Sequence, residues 1–167
     1  VDGRLSDGTR LHAVLAPVAQ TGTTISLRVP PRRTFGMAQL EESGSVATPM
    51  AEALKNLITQ KRSFLVTGGT GSGKTTVLAA LLGLVPTHER MVIVEDSEEL
   101  RPAHPHVVGL VARAANAEGV GAVSLRDLVR QALRMRPDRL VVGEVRGGEV
   151  VDLLAALQRS VDAAKSA

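Results

Sequence analysis

The chain has 167 residues, of which 44% are apolar, and a formal net charge of +3. This length suffices for one ordinary domain, or for one domain and part of another. There is no cysteine, tryptophan or tyrosine and there are only two phenylalanines, which excludes disulfides and thiolate metal sites and argues against stacking platforms for single-stranded nucleic acid. No apolar run approaches the ~20 residues of a membrane span and no signal peptide opens the chain, so we expect a soluble protein.

The positive charge is unevenly distributed. Residues 1–40 contain five arginines against Asp2 and Asp7, whereas the rest of the chain has equal numbers of acidic and basic residues. A solvated basic edge would explain this excess, and so would a surface that contacts a nucleotide or an acidic partner.

The first 34 residues have the pattern of a small β structure. Asp7-Gly8 predicts a turn, and strand-like runs follow at Arg10–Leu15 and Thr23–Val29. Two strands are marginal alone, and the prolines and arginines of residues 30–33 predict a linker. We therefore expect residues 1–34 to be the C-terminal part of an N-terminal α+β domain with its linker, and residues 35–167 to be a second domain.

A helix is predicted at Thr48–Gln60, with Thr48 as N-cap and Pro49 in the first helical position. A short strand at Phe64–Val66 and a helix at Thr76–Leu82 flank a glycine-rich loop. The loop has the spacing G-x-x-x-x-G-K-[ST], which Gly68, Gly73, Lys74 and Thr75 provide.

This spacing is typical of a phosphate-binding loop. Glycines permit backbone angles that turn successive N–H groups toward phosphate oxygens, and the following helix directs its positive end at them. Lys74 would place a charge near the β- and γ-phosphates, and the Thr75 hydroxyl would hold Mg²⁺. The predicted nucleotide-binding residues in the loop are Gly68, Gly69, Thr70, Gly71, Ser72, Gly73, Lys74, Thr75 and Thr76.

The remaining pattern alternates buried strands with helices. Strands are predicted at Met91–Val94, Val107–Val111 and Leu140–Glu144, a helix begins at a capping box at residues 124–127, and another helix follows from residue 150. This alternation predicts an α/β domain with a mainly parallel sheet. Ligands bind beyond the carboxyl ends of such strands, where the phosphate loop, Glu95–Glu99 and Glu144 would meet.

Several carboxylates at these strand ends are candidates for catalysis. Glu144 could orient the water that attacks the γ-phosphate or hold the metal through water. Glu95 or Asp96 is a candidate for contact with Mg²⁺ or water, whereas Glu98 suits the acidic start of a helix. Arg146 could pair with a neighbouring glutamate or stabilise phosphate charge. The histidines have no spacing typical of metal ligands.

With these motifs in their order, the chain resembles the secretion ATPases of type II and type IV secretion systems and type IV pili. It is most similar to the branch that serves tight-adherence (Flp-type) pili. The similar stretches are residues 7–14, 65–76, 92–100, 123–138 and 139–149, the last with a Val-Gly-Glu-Val-Arg-Gly-Gly-Glu core.

The resemblance implies a RecA-like core behind an N-terminal domain, a hexamer when the protein is full length, and ATP near the boundary between domains and neighbours. Lys74 and Thr75 match the Walker A positions, Glu144 matches the Walker B glutamate, and Glu95-Asp96 with Glu99 match the acidic Asp box. Arg10 and Arg28 match N-terminal positions whose arginines can approach the nucleotide. Such proteins act at the cytoplasmic face of the membrane with an inner-membrane platform protein, and direct nucleic-acid binding is not expected.

The pattern departs from the family after Leu157, because the His box and the C-terminal helices of these ATPases are not present in the sequence. We therefore expect a core truncated after the Walker B helix that binds ATP and Mg²⁺ but hydrolyses ATP poorly alone. A nucleotide-binding subunit without hydrolysis is one alternative. A phosphate-loop protein acting on nucleic acid is another.

Overall fold

A computed structural model describes residues 1–29, 34–116 and 118–144 of the chain. The chain divides into two compact units, Val1–Arg33 and Thr34–Ala167, and each is described here by itself. The linker proposed at residues 30–33, Arg146 and the helix predicted from residue 150 lie outside the described residues.

The first unit is a three-stranded antiparallel sheet with the strand order β1-β2-β3. Its strands are β1 (Asp2–Arg4), β2 (Arg10–Val14) and β3 (Thr24–Arg28). The turn before β2 forms because the Asp7 carboxylate accepts hydrogen bonds from the Thr9 backbone N–H at 2.9 Å and the Thr9 hydroxyl at 3.0 Å. Both predicted strands are present. The patterns did not reveal β1, which is only three residues long.

The second unit contains a parallel sheet with the strand order β5-β4-β6. Helices precede and connect its strands, so this unit has the expected α/β architecture with a parallel sheet. Its described elements are α1 (Met37–Glu42), α2 (Thr48–Thr59), α3 (Lys74–Leu82), β4 (Met91–Glu95), β5 (Val107–Val111), α4 (Leu125–Arg134) and β6 (Arg139–Val142).

The central strand β4 is buried along its whole length and supplies both hydrophobic cores. Met91 and Ile93 pack on one side with residues from α1, α2 and α3. Val92 and Val94 pack on the other side with the apolar face of α4. Side chains alternate across a strand, so the four consecutive apolar residues of β4 can join two helical layers.

Helix α4 has the capping box predicted at its start. The Asp127 N–H donates to the Ser124 hydroxyl oxygen at 3.2 Å, and the Asp127 carboxylate accepts from the Ser124 N–H at 3.4 Å. The buried residues of α4 are Leu125, Leu128, Val129 and Ala132, which form its apolar face.

Three local predictions were wrong. Helix α2 has Ala47 as its N-cap, so Thr48 is already helical. Residues 62–69 have no assigned secondary structure, and Leu65 is 84% exposed. An apolar triplet forms a strand only where a neighbour supplies hydrogen bonds, and the described strands do not pair with Phe64–Val66. Residues 96–100 form an irregular loop, so Glu98 does not begin a helix; its carboxylate lies 3.2 Å from Arg101.

In the described part of the chain, none of the helices combines the length and the apolar character needed to cross a bilayer.

Candidate phosphate-binding site

The phosphate loop adopts backbone angles that require glycine. Gly68, Gly71 and Gly73 have φ angles of 155°, 77° and 87°, in the region that side chains disfavour. A Cβ on Gly68 would lie 2.7 Å from the Ser72 hydroxyl oxygen, so space as well as backbone angle excludes a side chain there. The glycine spacing in the sequence therefore corresponds to a real constraint on the loop.

Helix α3 begins directly at the loop. Its N-cap is Gly73, no side chain caps its first turn, and no acidic residue lies in that turn. The predicted helix start at Thr76 was two residues late, because Lys74 and Thr75 are already helical. The positive end of the helix dipole therefore coincides with the two residues predicted to bind phosphate and metal.

Lys74 lies across the loop. Its Nζ donates a hydrogen bond of 2.7 Å to the Gly69 carbonyl oxygen. The residues around it, Gly69 to Ser72 and Thr75, are exposed. A lysine held by one carbonyl at an exposed loop can exchange that contact for a phosphate oxygen without crossing a hydrophobic layer.

Glu95 lies at the carboxyl end of β4 and is only 5% exposed. Its Oε1 accepts hydrogen bonds from the backbone N–H groups of Glu99 at 3.1 Å and Leu100 at 3.0 Å. Burial raises the pKa of this carboxyl group, the two backbone hydrogen bonds oppose the rise, and the nearby charges of Glu98 and Glu99 add to it. Glu95 therefore organises the loop that follows β4.

Gly143 is a residue whose importance the patterns did not reveal. A Cβ at this position would lie 2.5 Å from Glu95 Cγ and 2.7 Å from Glu95 Oε1. The Gly143 N–H also donates to the Val94 carbonyl at 2.9 Å. The available signal was a glycine inside an apolar strand, which can mark a close approach of another group. Here that group is the Glu95 side chain.

Asp96 and Glu144, the other two carboxylates predicted at these strand ends, are exposed. Asp96 follows β4 and Glu144 follows Gly143, so the parallel pairing of β4 with β6 brings them to the same edge of the sheet. Over residues 1–29, 34–116 and 118–144, no group of three or more His, Cys, Asp or Glu side chains could hold a metal ion. A metal ion at this edge of the sheet would therefore also need ligands other than these side chains, such as a hydroxyl oxygen or phosphate oxygens.

Arg10 and Arg28 lie directly opposite each other in the β2–β3 pairing, and Arg4 lies opposite Arg10 on the other side. Three arginines thus form one row across the first unit. Like charges opposite each other in a sheet are unfavourable unless other groups compensate them. This row contains both arginines predicted to approach a nucleotide.

A glycine-rich loop that enters a helix at Lys-Thr, within a parallel α/β unit, defines the class of phosphate-loop proteins. The chain belongs to the family described as "Type II/IV secretion system protein", whose model matches residues 1–160.

The chain is similar to the "Putative conjugal transfer protein Rv3659c" of Mycobacterium tuberculosis, with 58% identity over 94% of this chain and 46% of that protein. It is also similar to the type IV secretion system protein PtlH of Bordetella pertussis, with 35% identity over 91% of this chain and 51% of that protein. The chain therefore spans about half the length of these curated relatives.

A solved structure has a similar fold. The crystal structure of the VirB11 ATPase from the Brucella suis type IV secretion system, in complex with sulphate, matches with a TM-score of 0.52 and 26% identity. The match covers 93% of this chain and 53% of that one. With the parallel sheet, this likeness confirms the expected α/β, RecA-like fold class and the secretion ATPase family.

Proposed function

We propose that this chain is the ATP-binding and ATP-hydrolysing motor region of a secretion or type IV (Flp/Tad-like) pilus assembly ATPase. The observation that carries the proposal is the loop at residues 68–76. Three positive-φ glycines lead into a helix that no side chain caps, with Lys74 lying across the loop. Each of these features favours the binding of a polyphosphate.

In this proposal the loop N–H groups and Lys74 bind the β- and γ-phosphates. The exposed Thr75 hydroxyl and the exposed Asp96 carboxylate are oxygen donors of the kind that Mg²⁺ prefers. Bound there, Mg²⁺ would neutralise charge on the phosphate oxygens. Glu95, the other proposed ligand, already uses Oε1 for two backbone hydrogen bonds, so it would act by holding Asp96 in place as well as by any direct contact.

Glu144 is the proposed catalytic carboxylate. Hydrolysis forms a bond between a water oxygen and the γ-phosphorus and breaks the bond to the β–γ bridging oxygen, which leaves with ADP. Glu144 would orient that water and accept its proton. Lys74 would stabilise the charge that develops on the transferred phosphoryl group.

The wider role follows from the family and is likewise proposed. The longer protein would form a hexamer, associate with an inner-membrane secretion or pilus platform protein at the cytoplasmic face, and couple ATP turnover to export or pilus assembly. The row that includes Arg10 and Arg28 would approach the nucleotide phosphates. A relative named for conjugal transfer and another named for type IV secretion support this group of functions.

The test is calorimetric titration of the chain with Mg·ADP. We expect wild-type protein to bind and Lys74→Ala to bind at least about tenfold more weakly, since a phosphate-directed charge is worth roughly 1.5–3 kcal/mol. Lys55→Ala is the matched control, because Lys55 forms an ion pair with Glu41 in the same unit. Equal affinities for wild type and Lys74→Ala would exclude the loop as the site.

A phosphate-release assay then distinguishes the two roles of a nucleotide-binding chain. Turnover by the longer protein that Glu144→Gln abolishes would support the motor. Tight binding without turnover, in both the longer protein and this chain, would favour a regulatory subunit that does not hydrolyse ATP.

A further inference from the structure

A buried ion-pair cluster lies at the end of the sheet where the parallel strands begin. Glu89 is 4% exposed; its Oε1 lies 3.0 Å from Lys61 Nζ, and its Oε2 accepts from Arg139 Nε at 2.7 Å. Arg139 Nη2 also donates to the Ile58 carbonyl at 2.8 Å. We call Glu89, Lys61 and Arg139 the Glu89 bridge.

The bridge joins the beginnings of three segments. Lys61 follows Gln60, the C-cap of α2, and begins the segment that leads to Gly68. Glu89 precedes β4, which ends at Glu95, and Arg139 opens β6, which leads to Gly143 and Glu144. The three residues are distant in sequence, yet the far end of each segment carries part of the phosphate site. The phosphate-site groups themselves take no part in the bridge.

Hydrogen bonds beside the bridge join the starts of β4 and β6. The carbonyl of Arg90 accepts the N–H groups of Asp138 at 2.9 Å and Arg139 at 3.1 Å, while the Arg90 N–H donates to Asp138 Oδ2 at 2.8 Å. These bonds fix the start of β6 against the start of β4. Gly143 N–H to the Val94 carbonyl fixes the same two strands at the other end.

The segment that leads to the phosphate loop is connected to the sheet by the packing of Phe64 against the core and by polar side chains. Residues 62–69 have no strand neighbour among the described residues. At the start of this segment, the described polar contacts to the sheet are Lys61 Nζ on Glu89 and Arg139 on the Ile58 carbonyl. The Glu89 carboxylate accepts from both cations, so removing its charge loosens both connections.

We propose that Glu89 is a positioning residue for the phosphate site, acting through Lys61 and Arg139 on the placement of residues 68–75 relative to Glu144. This inference rests on the proposed function of the loop. Phosphoryl transfer depends on placement, and a displacement of about 1 Å can lower a rate by about 10²-fold. A residue that contributes only stability would lower the unfolding temperature without changing nucleotide affinity in the folded protein.

The experiment compares Glu89→Gln with Glu41→Gln. Both variants replace the carboxylate of an ion pair to lysine in the same unit, and Glu41 pairs with Lys55 at 2.9 Å between α1 and α2. Mg·ADP affinity is measured at a temperature where circular dichroism shows both to be folded. We expect Glu89→Gln to weaken binding on the order of tenfold, a coupling typical between distant sites, and Glu41→Gln to stay within about twofold of wild type.

A second readout does not need nucleotide. Hydrogen exchange of the amides in residues 68–77 reports the order of the phosphate loop. Glu89→Gln should accelerate exchange there, and Glu41→Gln should not. If Glu89→Gln does not fold, Lys61→Ala replaces it in both measurements, because the Lys61 side chain is 56% exposed and its removal cuts only one contact of the bridge.

The outcomes separate the two proposals. If wild-type protein binds no Mg·ADP, the proposed function is wrong, and exchange at residues 68–77 alone decides whether Glu89 positions the loop. If affinity and loop exchange match wild type while exchange rises only around residues 58–62 and 138–140, Glu89 is a local stabilising residue and the inference is overturned.

Discussion

One buried glutamate lies at each end of the parallel sheet, and the surroundings shift the pKa values of the two carboxyl groups in opposite directions. At the starting end, the hydrogen bond from Arg139, together with that from Lys61, lowers the pKa of Glu89 despite its burial. At the carboxyl end, burial raises the pKa of Glu95, and the groups that oppose the rise are backbone N–H donors. One glutamate is matched by two cations. Among the described residues, the groups that stabilise the charge of the other are backbone N–H dipoles.

The two ends therefore differ in how their charged side chains are arranged. Charges at the starting end are paired and fix the strands, whereas the carboxyl end keeps a glycine-rich loop, exposed Asp96 and exposed Glu144. A buried carboxyl group with a raised pKa, such as that of Glu95, is a candidate for a functional site. Substitutions at the starting end and at the carboxyl end should therefore differ in their effects on stability.

The largest effect is expected at the starting end. Arg139→Met removes the 2.7 Å contact to Glu89 and the bond to the Ile58 carbonyl, which leaves a buried carboxylate with Lys61 alone. Breaking a buried pair by removing one partner costs about 3–5 kcal/mol, and with Lys61 retained we expect about 3 kcal/mol. Urea unfolding measures the loss.

Arg134→Met is the control for this loss, since Arg134 is exposed in the last turn of α4 and its removal should cost under about 1 kcal/mol. In the double variant Glu89→Met/Arg139→Met no buried charge is left unpaired, so part of the loss should be recovered. Equal losses for Arg139→Met and Arg134→Met would mean that the bridge contributes no stability.

The next effect is expected at the carboxyl end. Gly143→Ala places a methyl group where Glu95 Cγ lies 2.5 Å away, so Glu95 must move and release the N–H groups of Glu99 and Leu100. We expect a loss of about 1–3 kcal/mol, the usual range for overpacking. Thermal unfolding measures it.

Gly109→Ala is the matched control. Gly109 lies in β5, which pairs with β4 on the side opposite β6, and a Cβ at Gly109 meets no atom within 4 Å. The clash also predicts a specific rescue: in a Glu95→Ala background, Gly143→Ala should have little further effect. A loss that persists in that background would show that Gly143 is needed for another reason.

The sequence predicted the features that depend on residues close together along the chain. The capping box at Ser124 and the apolar run of β4 reflect local geometry, and both predictions agreed with the structure apart from the strand end. The loop glycines have the positive φ angles that their spacing implies, whereas the strand predicted before them was wrong. The Glu89 bridge could not be predicted in this way. Glu89 and Arg139 are separated by 50 positions, and their pairing exists only once β4 and β6 are adjacent.

At the carboxyl end of the sheet, the sequence predicted which residues are candidates for the site but not how they contact one another. Glu95 was expected to contact metal or water, and a single sequence does not show that its Oε1 is used by the Glu99 and Leu100 backbone. Gly143 has an ordinary backbone angle, so its requirement is spatial and depends on the Glu95 side chain of another strand. Contacts of this kind follow from the tertiary fold.

The opposite pKa shifts predict opposite pH dependences. The folded-state pKa of Glu89 is lowered, so its contribution to stability is complete above the unfolded value and is lost as pH falls through the folded value. The folded-state pKa of Glu95 is raised, so its contribution falls as pH rises from about 4.5 through the folded value. Stability curves of wild type, Glu89→Gln and Glu95→Gln between pH 3 and 8 measure both contributions. Parallel curves for all three would contradict the assignment.

The smallest net effect is expected at Lys61, where two contributions oppose each other. Just after the C-cap of α2, Lys61 has a φ angle of 52°, the Lys61 N–H donates to the Ile58 carbonyl and the Arg62 N–H donates to the Leu57 carbonyl. This bonding pattern usually has glycine at the left-handed position, where other residues are disfavoured by about 1–2 kcal/mol. The ion pair with Glu89 offsets part of that strain, although the Lys61 side chain is 56% exposed and such a pair contributes only about 0.2–1 kcal/mol.

Lys61→Gly and Lys61→Ala separate these contributions. Both lose the ion pair, but only glycine relieves the left-handed strain, so we expect Lys61→Ala to be less stable than Lys61→Gly by about 1 kcal/mol and Lys61→Gly to be within about 1 kcal/mol of wild type. Urea unfolding of the three proteins measures both differences. If Lys61→Gly matched the loss of Lys61→Ala, strain relief would be negligible and the stability of this helix end would come from the contact with Glu89.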